Sequence, residues 1–212
     1  MKRKKAFFIS AILTAAFILW TLLVIKIDVK AIGPLESPVG FADLNGFVHE
    51  LTGVNMTLYL LTDWLGLIPV GFIFAFGLTG LLQLIRRKSI LKVDFDILML
   101  GMFYIVVASV FVFFEVFEVN YRPLLINGIL ETSYPSSTTM LTACVMPTAA
   151  MQLNNRIKSS VLRKWVCLAI ILFTLFMVIG RLVSGVHWFT DIIGGILISG
   201  GLVSAYYAAI GK

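Results

Sequence analysis

Six long apolar stretches separated by short polar breaks run along the chain, at about residues 6–25, 64–85, 96–117, 136–153, 162–181 and 189–210. Crossing a bilayer as helix takes about 20 predominantly apolar residues. Backbone polar groups in lipid need partners within the structure, and helices supply them. The pattern predicts an all-α polytopic membrane protein, a six-transmembrane-helix bundle forming one domain over residues 1–212. The spans differ in character. The second carries Gly66, Gly71, Gly77 and Gly80 with Pro69 near one end, and the sixth carries Gly194, Gly195, Gly200 and Gly201. Such small residues let helices approach closely in lipid. The fourth is the shortest and most polar, with Thr138, Thr139, Thr142, Thr148 and Gln152 beside Pro147. Its polar content places it in the bundle interior, and Pro147 should kink it.

Between the first two spans, residues 26–63 read differently. Gly33-Pro34 and Ser37-Pro38 are turn signals. From Phe41 to Leu61, apolar residues recur at helical spacing (Leu44, Phe47, Val48, Leu51, then Leu58 and Leu61), with Gly53 and Asn55 interrupting. This predicts an external amphipathic or broken helix, serving as a packed cover or as a lid that guides lipid. His49, within it, reads as a surface or packing histidine.

Composition agrees with the pattern: 59% of the 212 residues are hydrophobic and 13% are charged, against roughly 25% charged in a soluble domain. The net charge of +6 would suit nucleic acid, but its placement argues otherwise. Thirteen of the 17 Lys and Arg residues fall in alternate breaks or at the ends: Lys2–Lys5, Arg86–Lys88 with Lys92, Arg156, Lys158, Arg163, Lys164 and Lys212. The positive-inside rule makes that face cytoplasmic, with both termini there, in a cytoplasmic membrane. The same charges attract anionic bilayer lipid. The basic start of the first span and the weak small-residue motif Ala31-Ile32-Gly33 read as an uncleaved anchor. Cys144 and Cys167 lie in apolar stretches, with neither disulfide nor metal-ligand spacing.

Chemistry concentrates at three breaks on the opposite face, which is expected to be external. Glu115, Glu118, Asn120, Tyr121, Arg122 and Pro123 follow the third span. Tyr134-Pro135-Ser136-Ser137-Thr138 opens the fourth, where a helix N-terminus offers amides to an anion. Arg181, His187 and Asp191 join the fifth span to the sixth. His187 and Asp191 are four apart, a spacing that lets both share one helix face. The aspartate can then fix the imidazole tautomer and free the other nitrogen to attack. Ionisable groups at such depth mark function. Arginines, a helix dipole and an oriented nucleophile are the parts that phosphoryl transfer requires. No metal or other cofactor is implied.

These blocks resemble those of the PAP2 family, the type 2 phosphatidic acid phosphatases, whose membrane members are six-span lipid phosphatases. The family pattern reads Lys-x6-Arg-Pro, Pro-Ser-Gly-His and Ser-Arg-x5-His-x3-Asp, and order and placement match over nearly the whole chain. By this resemblance, His187 is the nucleophile and Asp191 orients it. Arg122, Arg181, Ser136 and Ser137 hold phosphate. The expected substrate is a membrane lipid phosphate or diphosphate. Four positions depart from the pattern: Glu115 stands for lysine, Ser137 for glycine, Thr138 for histidine and Gly180 for serine. The family's second-block histidine protonates the leaving group, and losing a general acid costs roughly 10²–10⁴-fold. Three consequences are open. Another acid, such as Glu131, Glu115 or Tyr134, replaces it. The leaving group needs no proton, which favours a diphosphate such as polyprenyl diphosphate. Or hydrolysis is lost, leaving an anionic-lipid-binding or regulatory protein. A small lipid transporter is a further alternative, although no internal repeat is visible. Head group, chain length and oligomeric state are not legible.

Overall fold

The computed structural model describes residues 2–211, which form eight α-helices and no sheet. Met1 and Lys212, the latter counted above among the cytoplasmic charges, lie outside the described residues. The helices are α1 (Lys2–Lys26), α2 (Ala42–Thr52), α3 (Met56–Leu65), α4 (Leu67–Arg87), α5 (Phe95–Val116), α6 (Ser137–Arg156), α7 (Ser160–Val183) and α8 (Phe189–Ile210). The six expected spans correspond to α1 and α4–α8, and the protein is a multi-pass helical membrane protein. Among the described residues, five stretches are long and apolar enough to span by themselves: Arg3–Lys26, Met56–Arg87, Phe95–Val116, Ser160–Val183 and Phe189–Ile210. Their outward faces are large and apolar, as with Phe8, Phe74, Ile105 and Leu172, which suits contact with hydrocarbon.

The exception is α6, and its polarity explains its place. It packs against α4, α5, α7 and α8 and buries Thr139, Thr142, Cys144, Thr148 and Gln152. Thr148 and Gln152 find partners within the bundle, whereas the buried hydroxyls of Thr139 and Thr142 have none among the described residues. Thr148 Oγ1 donates to the Cys144 carbonyl at 3.0 Å, and Gln152 Nε2 donates to the Tyr206 hydroxyl at 2.6 Å. Ser199 Oγ of α8 donates to the Met140 carbonyl at 3.2 Å. The closest long pairing is α1 on α8, made possible by glycine. A Cβ on Gly201 would stand 2.7 Å from Thr14 Oγ1, and Ser10 Oγ donates to the Gly201 carbonyl at 2.8 Å.

The segment before α4 departs from expectation in one respect. The amphipathic pattern over 41–61 becomes two helices, α2 and α3, broken at Gly53 (φ 64°), and Asn55 caps α3 by accepting from the Leu58 amide at 2.9 Å. However, α3 does not end before the second span. Gly66 keeps right-handed helical angles and its amide bonds the Thr62 carbonyl, so residues 56–87 form one apolar run of 32 residues with a corner at Gly66. Pro69 is tolerated because it sits in the first turn of α4, where amides lack helical partners anyway. As a result α3 leans on α7 and α2 on α8.

Candidate active site

Three connections meet at one end of the bundle. The first follows α5 and is a small hairpin. Asn127-Gly128, both at positive φ, turns the chain, and Ile126 and Ile129 exchange backbone hydrogen bonds of 3.1 and 2.9 Å. This dipeptide is the usual two-residue hairpin turn. The pairing continues as the Arg122 amide bonds the Glu131 carbonyl at 2.9 Å, which fixes Arg122 at the rim of a cavity. Next, the chain passes through Tyr134-cis-Pro135 into α6. The Ser184-Gly185 turn after α7 and the start of α8 bring in the third connection.

His187 lies at the junction, 3% exposed. Its Nε2 is 3.1 Å from Arg181 Nη2 and 3.4 Å from Arg122 Nη1. Guanidinium groups only donate, so Nε2 must be the acceptor and carry the lone pair. The proton then belongs on Nδ1, which faces Asp191 Oδ2 at 3.7 Å. Burial, with Arg181 and Arg122 adding to it, holds the imidazole well below the usual histidine range. It is therefore neutral near neutral pH and available as a nucleophile.

The His–Asp pair does not share a helix face as the spacing suggested. His187 precedes α8, and Asp191 occupies its first turn. Its carboxylate accepts the Trp188 amide at 2.9 Å, closing the turn, and Asn120 Nδ2 at 3.4 Å. Capping geometry, not the helical repeat, brings His187 and Asp191 together. A buried amide network backs this turn, joining Asn120 of the first block to Asn45, which the sequence reading did not single out. Asn45 of α2 donates to Thr190 Oγ1 at 3.0 Å and accepts the Thr190 amide at 3.2 Å. Asn120 Nδ2 lies 3.4 Å from the same hydroxyl. Only the burial of these polar residues marks them, and a single sequence does not reveal that.

Arg181 is 1% exposed, with Nε and Nη1 lacking hydrogen-bond partners. A buried cation with idle donors is costly unless an anion completes it. Its neighbours are the Tyr59 ring, 4.9 Å from the guanidinium carbon, and Asp63 Oδ1, 3.8 Å from Nη1. Arg122 Nε lies 2.9 Å from Glu131 Oε2, an ion pair without hydrogen-bond alignment. A polar cavity of about 390 Å³ opens on this group, lined by Glu115, Arg122, Glu131, Thr132, Ser133, Ser137 and His187, among others.

The remaining expected residues distribute unevenly. Glu115, adjacent by sequence order alone in the pattern, lines the cavity and accepts from Thr132 Oγ1 at 3.3 Å. Ser137 lines it too, whereas Ser136 is fully buried with its amide on the Asp191 carbonyl at 3.1 Å and its hydroxyl unpartnered. Tyr134 contributes a ring to the cavity wall, but its hydroxyl shares a 2.7 Å hydrogen bond with Thr21 of α1 and lies against Gly194. Burial raises the proton affinity of that phenol, and its position is that of a packing group. Thr138 lines a neighbouring apolar cavity between α4, α5 and α6. Gly180 has a steric cause: a Cβ there would come 2.8 Å from Thr62 Cγ2 of α3. His49 packs against Trp188, with ring centroids 5.4 Å apart. Among the described residues, no three His, Cys, Asp or Glu side chains group as a cation site.

A helical membrane bundle with a buried histidine, an aspartate 3.7 Å from its Nδ1 and two convergent arginines defines the class. The chain belongs to the PAP2 superfamily, whose family model matches residues 6–212. It is also similar to the crystal structure of the first transmembrane PAP2 type phosphatidylglycerolphosphate phosphatase from Bacillus subtilis. That likeness has a TM-score of 0.56 and 19% identity over 92% of each chain. At this identity the likeness is one of fold. No curated protein matches the chain.

Proposed function

We propose that the protein is a membrane lipid phosphatase that hydrolyses a lipid phosphate or diphosphate through a phosphohistidine at the external face of the membrane. One observation carries this reading: the lone pair of the neutral His187 Nε2 lies between two arginine donors, one of them buried with idle N–H groups. Phosphate oxygens would take the place that Nε2 now fills as acceptor, and Arg122, Arg181 and the Ser137 end of α6 would neutralise them. Nε2 attacks phosphorus, the bond to the leaving oxygen breaks with its electron pair, and the imidazolium Nδ1–H is stabilised by Asp191. Water then attacks phosphorus, and the N–P bond returns its electrons to Nε2. The apolar cavity of about 450 Å³ beside Ser137 and Thr138 supports a hydrocarbon chain as the other part of the substrate.

Polyprenyl diphosphate is the favoured substrate because Thr138 cannot act as an acid. A departing phosphate has a second pKa of about 6 and leaves as an anion, whereas a lipid alkoxide does not. The test is phosphate release by purified protein in lipid nanodiscs. Polyprenyl diphosphate should turn over faster than phosphatidate, and His187→Ala should lower release by at least about 10³-fold. Equal rates would defeat the diphosphate preference, and undiminished release by His187→Ala would defeat the nucleophile assignment. A second reading, an impaired anionic-lipid-binding protein, is supported by Glu115 and Glu131 standing in the cavity. It requires lipid binding without phosphate release across a broad panel, and gain of release on Thr138→His.

A further inference from the structure

We infer that the groove between α4 and α5 sets the chain length of the substrate: the hydrocarbon lies along it, and the far half of the groove selects chains longer than one leaflet. This rests on the phosphatase reading above and adds the residues that decide which lipid is taken. Two apolar cavities follow one another along the groove, of about 450 and 460 Å³. The first meets the polar cavity of the site at Phe111, Ser137 and Met140. It joins the second at Ile73 and Tyr104. The second ends at Leu84, Ile90 and Val93, beside Arg86 and Arg87 at the end of α4. The three cavities thus connect His187 with the opposite, basic end of the bundle.

The groove is longer than a leaflet is deep. It covers about 25 Å from Leu67 to Leu84 along α4, and about 21 Å from Phe111 to Ile97 along α5, at about 1.5 Å per residue. The hydrocarbon of one leaflet is about 15 Å deep, half of a core of roughly 30 Å. An acyl chain whose phosphate is held at His187 therefore fills the first cavity and ends about where the second begins. A long polyprenyl chain continues into the second.

Two glycines keep the far half open. Gly77 on α4 and Gly101 on α5 line the second cavity, and a Cβ added at either would meet nothing within 4 Å. Gly80 is different: a Cβ there would stand 3.1 Å from Ile97 Cγ2, so it serves the approach of α4 to α5. Glycine within a helix is less stable than alanine, and helix contact gives no reason for it at 77 or 101. What the two glycines provide is room in the groove.

Burial alone does not bring a chain here, because bilayer tails are as apolar as the walls. The tether does. With the phosphate held by Arg122 and Arg181, the chain behind it enters the first cavity, and its remaining length meets the second as an intramolecular event at high effective concentration. A bilayer acyl chain has no such anchor. The groove is open to lipid along its side, where Met102 and Ile105 are 59% and 60% exposed, so a long chain enters sideways without threading.

The test compares chain lengths with purified full-length protein in lipid nanodiscs. Gly77→Leu and Gly101→Leu each fill the second cavity from one wall and spare the first. Each should lower kcat/KM for undecaprenyl diphosphate by about tenfold or more, and leave geranyl diphosphate and phosphatidate within about twofold. Gly71→Leu is the control. It adds the same bulk to α4, also with nothing within 4 Å of its Cβ, but lines neither cavity, and it should change no substrate. Equal loss on long and short chains would overturn the inference, as would no loss on undecaprenyl diphosphate. A matching loss in Gly71→Leu would assign the effect to added bulk in the span and overturn it as well. Wild-type release from phosphatidate alone would overturn the chain-length role and leave the phosphatase reading standing. No release from any of the three lipids would bring down the phosphatase reading, and this inference with it.

Discussion

At the scale of single residues, the state of His187 decides the chemistry. Its imidazole is buried against two guanidiniums, and both burial and like charge disfavour protonation. An unfolded histidine binds a proton near pH 6.5, and the folded one binds it only at lower pH. The sign follows from linkage: below about pH 6.5 the unfolded chain holds the extra proton, so the stability of the unliganded protein falls as pH drops. The fall ends when the folded pKa is passed. His187→Gln removes this titration. Thermal unfolding in detergent between pH 7.5 and 5 should therefore show a smaller decline for the variant than for wild type, and equal declines would show that His187 is not depressed. The sequence made His187, Asp191, Arg122 and Arg181 legible because their spacings in the three blocks are specific. It placed Asn120 in the first block without its partners, and it could not show Asn45. Asn45 lies on a helix outside those blocks, and both asparagines look like any polar residue until their burial is seen.

At the scale of elements, the polar connections hold the site and the spans hold the connections. The corner between α2 and α3 docks on the turn between α7 and α8 backbone to backbone: the Asn55 amide donates to the Ser184 carbonyl at 3.0 Å. Gly185 adopts φ 69°, and a Cβ there would stand 1.9 Å from the Gly53 carbonyl oxygen. Gly185→Ala therefore meets both an unfavourable backbone region, at about 1–2 kcal/mol, and a backbone clash that no rotamer relieves. It should lower the unfolding midpoint, and it should reduce phosphate release even at temperatures where the protein stays folded. Gly71→Ala, with nothing within 4 Å of the added carbon, should be neutral or slightly stabilising, since alanine favours helix over glycine by about 0.5–1 kcal/mol. Equal thermal shifts would contradict this account. Apolar length located α1, α5, α7 and α8 well. It placed the start of the second span too simply, because helical angles at Gly66 join α3 to α4. The hairpin at Asn127-Gly128 escaped the apolar pattern, because its signal is turn chemistry and not length. The His187–Asp191 spacing of four suggested a helix face where the chain makes a cap.

At the scale of the whole molecule, charge and site sit at opposite ends of the bundle. Arg86, Arg87 and Lys88 end α4, Arg156 ends α6, and Arg163 and Lys164 lie in the first turns of α7. His187, Arg122 and the start of α6 occupy the other end. Basic residues near span ends are retained on the cytoplasmic side, and this polarity supports the proposed placement of the site at the external face. That proposed orientation has a consequence for substrate supply: the site would take lipid from the outer leaflet, with its chain beside α4 and α5. Single cysteines in a background lacking Cys144 and Cys167 read the orientation directly. Asn127→Cys lies on the exposed hairpin at the site end, and Lys158→Cys lies in the basic break between α6 and α7. A membrane-impermeant thiol reagent applied to intact cells should label the first and reach the second only after the membrane is opened. The reverse pattern would place the His187 site inside and assign it a cytoplasmic-leaflet lipid. Labelling of both in intact cells would show dual insertion, which the one-sided distribution of Lys and Arg argues against.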